Sequence, residues 1–202
     1  MTATIKHLGL QPYEKTWRDM QTFTRTRKQN QTDEFWFVEH PPVFTLGQAG
    51  KPEHILNAHD ISIVNTDRGG QVTYHGPGQL ICYTLIDLKR IKWNIRKLVC
   101  ELENSVIECL KHYDLSATGH RDRPGVYINN KKIASIGLRV KRGYSYHGIS
   151  FNVDMDLTPF SYINPCGYED LAVTQVKNLA PEASKLDILR LWEKEIIKRY
   201  CS

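Results

Sequence analysis

Pro165-Cys166-Gly167 sets one thiol between two turn-forming residues. Proline fixes φ and glycine tolerates left-handed backbone, so Cys166 is expected at a bend rather than inside a core. A thiol acts as a nucleophile only as the thiolate, and an ordinary cysteine, with a pKa near ~8.5, is only slightly ionised at neutral pH. A base or cation must therefore stand beside it. Lys132, His75 and His147 qualify by type, each in a strand-like run near glycine. On residue type alone a histidine is the better expectation, as in thiol proteases. The two histidines share a tripeptide, because Tyr74-His75-Gly76 recurs as Tyr146-His147-Gly148. Two Gly/His segments and a turn-borne thiol are the parts of an acyl-handling site.

The densest segment is Arg68-Gly-Gly-Gln-Val-Thr-Tyr-His-Gly-Pro-Gly-Gln-Leu80, which holds four of the thirteen glycines in the chain. Fixing glycine costs entropy, so such a cluster needs positive φ or close approach of another group to the backbone. Two readings follow. One is a glycine-rich hairpin with polar residues in solvent. The other is a pocket wall, where glycines let a ligand lie against the main chain and a few polar groups orient it. A phosphate loop is excluded, because neither the dinucleotide spacing nor a terminal Gly-Lys-Ser/Thr is present.

The surrounding elements must position these residues. An amphipathic helix is expected over 11–28, from the spacing of Tyr13, Trp17, Met20 and Phe23. Strands are expected over 35–39, 43–46, 61–64 and 80–88. The clearest helix spans 93–113, with Ile95, Leu98, Leu102, Val106 and Leu110 opposite Lys97, Glu101, Glu103 and Glu108. Asn129-Asn-Lys131 joins strands at 126–128 and 133–141, and Arg142-Gly143 turns into a strand over 144–153. Residues 154–167 read as irregular. A last helix opens at Pro181-Glu-Ala-Ser184, with Leu186, Leu189, Trp192, Ile196 and Tyr200 as its apolar stripe. Strands and helices do not alternate regularly, so the expected fold is α+β with a mixed or antiparallel sheet, in one domain over 1–202.

The chain of 202 residues, 41% hydrophobic and 24% charged, has the balance of a soluble globular protein. No run approaches the ~20 apolar residues of a membrane span. The first residues lack the layout of a secretory signal. Five cysteines, odd in number and without paired spacing, suggest reduced and mostly buried thiols and a cytoplasmic home. The net charge is +5, densest at Arg139-Val-Lys-Arg142, with Arg121 and Arg123 near in sequence. There is no basic tail or recognition motif for nucleic acid, and the patch reads as a solvated face or as a surface for an acidic protein partner.

Taken in order, the Arg68–Leu80 motif, Lys132-Ile-Ala-Ser-Ile-Gly-Leu-Arg-Val140, Tyr146-His-Gly148 and Pro165-Cys-Gly167 resemble the octanoyltransferases, or lipoate–protein ligase B family. The resemblance runs from His40-Pro-Pro-Val-Phe-Thr-Leu-Gly47 to Gly167. It implies the catalytic-domain fold of biotin and lipoate protein ligases. It implies transfer of an octanoyl or lipoyl group from acyl carrier protein to a lysine of lipoyl domains, through a thioester on Cys166. Lys132 matches the lysine that activates the thiol; strand alternation alone allows either Lys131 or Lys132 to point inward. The acyl contacts carried over are Arg68, Gly69, Gly70, Gln71, Val72, Thr73, Tyr74 and His75, then Ser135, Ile136 and Gly137, then Gly148, Ile149 and Ser150. Ser150 stands where alanine is more usual. His75 and His147 are expected to orient the site by hydrogen bonds. No cofactor or metal is implied. The acceptors implied are the lipoyl domains of 2-oxoacid dehydrogenases and the glycine cleavage H protein. Two rival readings are an ATP-dependent lipoate or biotin ligase, which needs no thiol nucleophile, and a non-catalytic acyl-binding protein.

Overall fold

Side-chain alternation in two central strands decides the layout. The computed structural model describes residues 2–167 and 171–201, and the side chain of Cys166 lies outside the described residues. Among these, seven strands form one sheet: β1 (Ala3–Leu10), β2 (Asp33–Glu39), β6 (Gln79–Leu85), β7 (Thr118–Gly119), β8 (Gly125–Ile128), β9 (Lys131–Lys141) and β10 (Tyr144–Asn152). Their order is β1-β2-β6-β10-β9-β8-β7. β1 and β2 run parallel and the other neighbours antiparallel, so the sheet is mixed. A second sheet joins β3 (Val43–Leu46), β4 (Ser62–Asn65) and β5 (Val72–His75) in the order β4-β3-β5.

In β2 and β6, Phe35, Phe37, Leu80 and Cys82 face one way, into the core under helices α2 (Ile95–Lys111) and α3 (Lys185–Cys201). Trp36, Val38, Ile81, Tyr83 and Leu85 face the other way, toward Met20 of helix α1 (Tyr13–Thr26). A sheet covered on both faces reads in sequence as continuous apolar runs, as these two strands do.

Several element boundaries and one strand differ from expectation. β1 was not anticipated; it is an edge strand with about half its positions exposed, and its register slips between His7 and Gly9. Asn94 caps α2 by accepting from the Lys97 N–H, so the helix begins at Ile95, which is 47% exposed rather than part of the buried stripe. α3 begins at Lys185, with Ile188, Trp192, Ile196 and Tyr200 inward and Leu186 exposed. Cys82 and Cys109 are buried, whereas Cys100 and Cys201 are exposed, so the expectation of mostly buried thiols holds for only two of these four.

Candidate active site

Lys132 stands at the start of β9, where alternation separates it from its neighbour: Lys131 is exposed and Lys132 is 3% exposed. Its backbone does more than extend the strand. The Lys132 N–H donates to the Ala172 carbonyl at 2.8 Å, and the Thr174 N–H donates to the Lys132 carbonyl at 2.9 Å. Residues 172–174 are thereby docked beside Lys132, with a parallel bridge between Lys132 and Val173. The segment before Pro165-Cys-Gly167 is tied down as well. Asn164 N–H donates to the His54 carbonyl at 2.8 Å, and Ile163 bridges Ile55. Between these anchors, Pro165–Gly167 forms one 3-10 turn. A Cβ built on Gly167 would lie 3.3 Å from Gln71 Cγ and 3.4 Å from His54 Nε2, which puts the turn at the glycine-rich stretch.

The Lys132 side chain crosses β8 where only glycine fits. At Gly125, with φ +144°, a Cβ would lie 2.5 Å from Lys132 Cε. The Lys132 amine lies 5.4 Å from the centre of the Tyr127 ring. The Gly125 N–H is fixed by Glu103 Oε1 at 2.9 Å. Burial raises the Glu103 carboxyl above the usual range, opposed by hydrogen bonds from the backbone at Gly125 and His120 and by the charge of Lys132. Glu103, expected on the polar face of α2, is half-buried beside Lys132 instead.

A cleft of about 490 Å³ opens between the two sheets. Arg68, Gly70, Gln71, Val72, Thr73 and His75 line one side, and Ser135, Ile136, Gly137, Gly148, Ile149 and Ser150 the other. The two far-apart stretches meet because β9 and β10 pair Gly137 with Gly148 and Ser135 with Ser150. Tyr13, Ile81, Tyr83 and His147 complete the lining. Two expected contacts sit elsewhere. Tyr74 alternates away from the cleft into the small sheet's own core against Phe44 and Phe160, and Gly69 lines the neighbouring groove. Arg68 reaches the cleft, but its guanidinium donates to the carbonyls of Thr45 (2.6 Å), Gln71 (2.7 Å) and Gly69 (2.9 Å). Arg68 therefore props the loop it belongs to.

Both histidines of the repeated tripeptide line this cleft. His75 Nδ1 donates to Gln79 Oε1 at 2.7 Å, and Gln79 Nε2 donates to Asn152 Oδ1 at 2.9 Å. Asn152 Nδ2 donates in turn to the Thr174 carbonyl at 3.0 Å, on the residue bonded to Lys132. Burial, then the neighbouring His40, pushes His75 down to about 3, so it is neutral. His147 has φ 59° and donates from Nε2 to Asp67 Oδ1 at 2.9 Å. Burial outweighs the attraction of Asp67 and lowers the His147 pKa. Burial would raise Asp67, but hydrogen bonds from His147, Tyr146 and Trp17 carry it well below the carboxylate range. Tyr13 stacks on His75 with ring centres 5.7 Å apart, and His40 accepts from Tyr83 at 2.7 Å.

A second groove, of about 820 Å³, is lined by Lys132, Ile95, Val99, Arg123 and Pro124 and shares Gly70, Gln71, Ile136 and Gly137 with the cleft. It continues past Arg96 and Arg121. Arg123 thus shares a groove with Lys132, and Arg96 and Arg121 line its continuation. Lys141 and Arg142 lie at the opposite end of β9, about 30 Å of extended strand away. Glu103, Gly125, His54, Asp67, Tyr13 and Tyr83 had no counterpart among the expected site residues.

A mixed seven-stranded sheet with helices on both faces, beside a small three-stranded sheet, is a fold shared with solved lipoate and biotin protein ligases. The fold is similar to that of lipoate-protein ligase A bound with ATP (TM-score 0.82, 15% identity, 98% of this chain and 85% of that one). It is also similar to the biotin protein ligase of Aquifex aeolicus (TM-score 0.56, 13% identity, 98% and 69%). Residues 12–195 match the lipoyl protein ligase A/B catalytic domain. The chain is similar over most of its length to proteins named octanoyltransferase from Chromobacterium violaceum (59% identity over 179 residues, 89% of this chain and 86% of that one) and Shewanella sp. strain W3-18-1 (59% over 178 residues, 88% and 82%). The chain belongs to the octanoyltransferase family within that domain class.

Proposed function

We propose that this enzyme, an acyltransferase of protein lipoylation, takes an octanoyl group from acyl carrier protein onto Cys166 and passes it to a lysine of a lipoyl domain. One observation carries the reading. Asn164, just before the turn that holds Cys166, is bonded to His54, the Gly167 that closes the turn lies against Gln71 of the cleft lining, and residues 172–174 are bonded to the backbone of Lys132. Burying the methylenes of an eight-carbon chain contributes on the order of 5 kcal/mol, at ~0.8 kcal/mol each.

In the first step the Cys166 sulfur attacks the thioester carbonyl. A carbon–sulfur bond to the enzyme forms, the bond to the carrier thiol breaks, and the proton held at Lys132 leaves on that thiol. In the second step the acceptor lysine amine attacks the acyl-enzyme. A carbon–nitrogen bond forms, the Cys166 carbon–sulfur bond breaks, and the amine proton returns to the site. The net exchange is a thioester and an amine for an amide and a thiol, by ping-pong kinetics. Arg96, Arg121 and Arg123 along the adjoining groove suit an acidic carrier better than the distant Lys141 and Arg142. Acceptors of this class are the lipoyl domains of 2-oxoacid dehydrogenases and the glycine cleavage H protein.

Intact-mass measurement after incubation with octanoyl carrier protein alone tests the covalent step. One octanoyl mass should appear, be removed by hydroxylamine, and be absent in Cys166→Ser. Lys132→Met should shift the pH midpoint of thiol alkylation upward, because a nearby cation favours the thiolate. Equal labelling of Cys166→Ser, or ATP-dependent activation of free octanoate, would replace this reading with that of a ligase.

A further inference from the structure

One hydrogen-bonded pair separates the acyl cleft from a cleft on the outside of the protein. On the inner side stands the His147 ring, 1% exposed and part of the cleft lining. On the outer side stands Asp67, 28% exposed, which lines a surface cleft of about 460 Å³ with Gln21, Thr24, Lys141 and Tyr146. The two side chains meet at 2.9 Å, and Asp67 is also held by Trp17 Nε1 at 2.8 Å and by the Tyr146 hydroxyl. The wall at this point is one side-chain pair thick.

Along β9 its position is well removed from Lys132. Gln71 marks the mouth, beside the Pro165–Gly167 turn. Gly148, which follows His147, pairs with Gly137, and about 17 Å of strand separates Gly137 from Lys132. His147 also keeps a left-handed backbone, which a bulky residue adopts only when its surroundings impose it.

We propose that His147, braced by Asp67, is the floor of the acyl cleft and sets the longest chain the enzyme accepts. The proposal rests on the acyl-transfer reading and names the specificity of that same site. A chain that reaches the ring has nowhere to put further methylenes. Glycine at 147 suits the backbone and opens the cleft toward the outer one.

The test compares rates of Cys166 acylation by octanoyl-, decanoyl- and dodecanoyl-pantetheine, followed by intact mass. Each methylene that gains burial favours binding about fourfold. His147→Gly should therefore raise the dodecanoyl-to-octanoyl rate ratio by about tenfold or more. Asp67→Ala, which leaves the ring but removes its brace, should raise it less. The ratio cancels any loss common to all chains, and thermal melts identify variants that fail to fold. An unchanged ratio in folded His147→Gly overturns the proposal; a shift produced by Tyr13→Ala instead would put the floor at the Tyr13–His75 stack. Failure of octanoyl-pantetheine to acylate the wild type counts against the transfer reading alone. Calorimetric binding of free octanoate and dodecanoate to the same variants then decides the floor independently, with the same ratio expected to rise.

Discussion

Tyr74-His75-Gly76 and Tyr146-His147-Gly148 each put a histidine on the lining of one cleft, and each position of the triplet is used differently. His75 points its hydrogen bonds inward, through Gln79 and Asn152 to Thr174 and so to the backbone of Lys132. His147 points its bond outward, to a carboxylate that reaches the surface. Tyr74 fills the core of the small sheet, whereas Tyr146 hydrogen-bonds Asp67. A Cβ on Gly76 would meet the Tyr74 hydroxyl at 2.3 Å, and one on Gly148 would meet the main-chain carbonyl of Cys82 at 2.0 Å. A side chain can shift more readily than the carbonyl of a central strand. The role of each residue is set by the strand it faces, not by the triplet.

The glycines should separate the two triplets most widely. Gly148→Ala forces β6 and β10 apart and is expected to cost about 3 kcal/mol, against about 1 kcal/mol for Gly76→Ala. Denaturant midpoints at constant slope read the difference. Equal losses would mean that the central sheet yields as easily as a tyrosine ring.

The inward network comes next. His75→Leu leaves the buried Gln79 carbonyl without its donor, at a cost of about 2 kcal/mol. It should also slow Cys166 alkylation, because the chain of bonds ends on the segment docked to Lys132. Restoration of both by His75→Asn would show that a donor suffices and that the imidazole itself is dispensable.

Acid sharpens the comparison further. His75 at about 3 and His40 at about 4 lie below the ~6.5 of an unfolded histidine. Below pH 6.5 the unfolded chain therefore binds more protons, so stability is complete above that pH and falls as pH drops toward 4. Each histidine contributes a slope of about 1.4 kcal/mol per pH unit. His75→Leu should remove one such slope from the acid limb of denaturation curves. A limb unchanged in that variant would mean that His75 is not kept neutral by its burial.

The outward pair should matter least for stability. Asp67→Asn keeps an acceptor for His147 Nε2 at a part-exposed site, with an expected cost of about 0.5–1 kcal/mol in the same denaturation assay. A loss above 2 kcal/mol would make the pair a structural keystone rather than a cleft wall.

What the sequence made legible follows the same division. The glycine-rich stretch, the inward Lys132 and the strands around them could be read because glycine density, alternation and a long motif are local signals. The direction of the Tyr74 ring was not legible, because a motif specifies identity and only the folded β5 turns that ring into the core of the small sheet. Asp67 and Glu103 carried no signal at all. Asp67 gains its meaning from His147, eighty residues on, and Glu103 from Gly125 in another strand. The groove beside Lys132 was likewise invisible, since Ile95 fits an apolar stripe by spacing and lies outside the core only because the cap at Asn94 fixes where α2 begins.

The clamp on the Lys132 backbone has a consequence in time as well as in space. The amide protons of Lys132 and Thr174 are each locked in a bond that exists only while residues 172–174 lie against β9. Their exchange with deuterated solvent therefore counts the openings of residues 172–174, amide by amide and without any turnover. Every departure of that segment is recorded there, whether or not an acyl group is in transit.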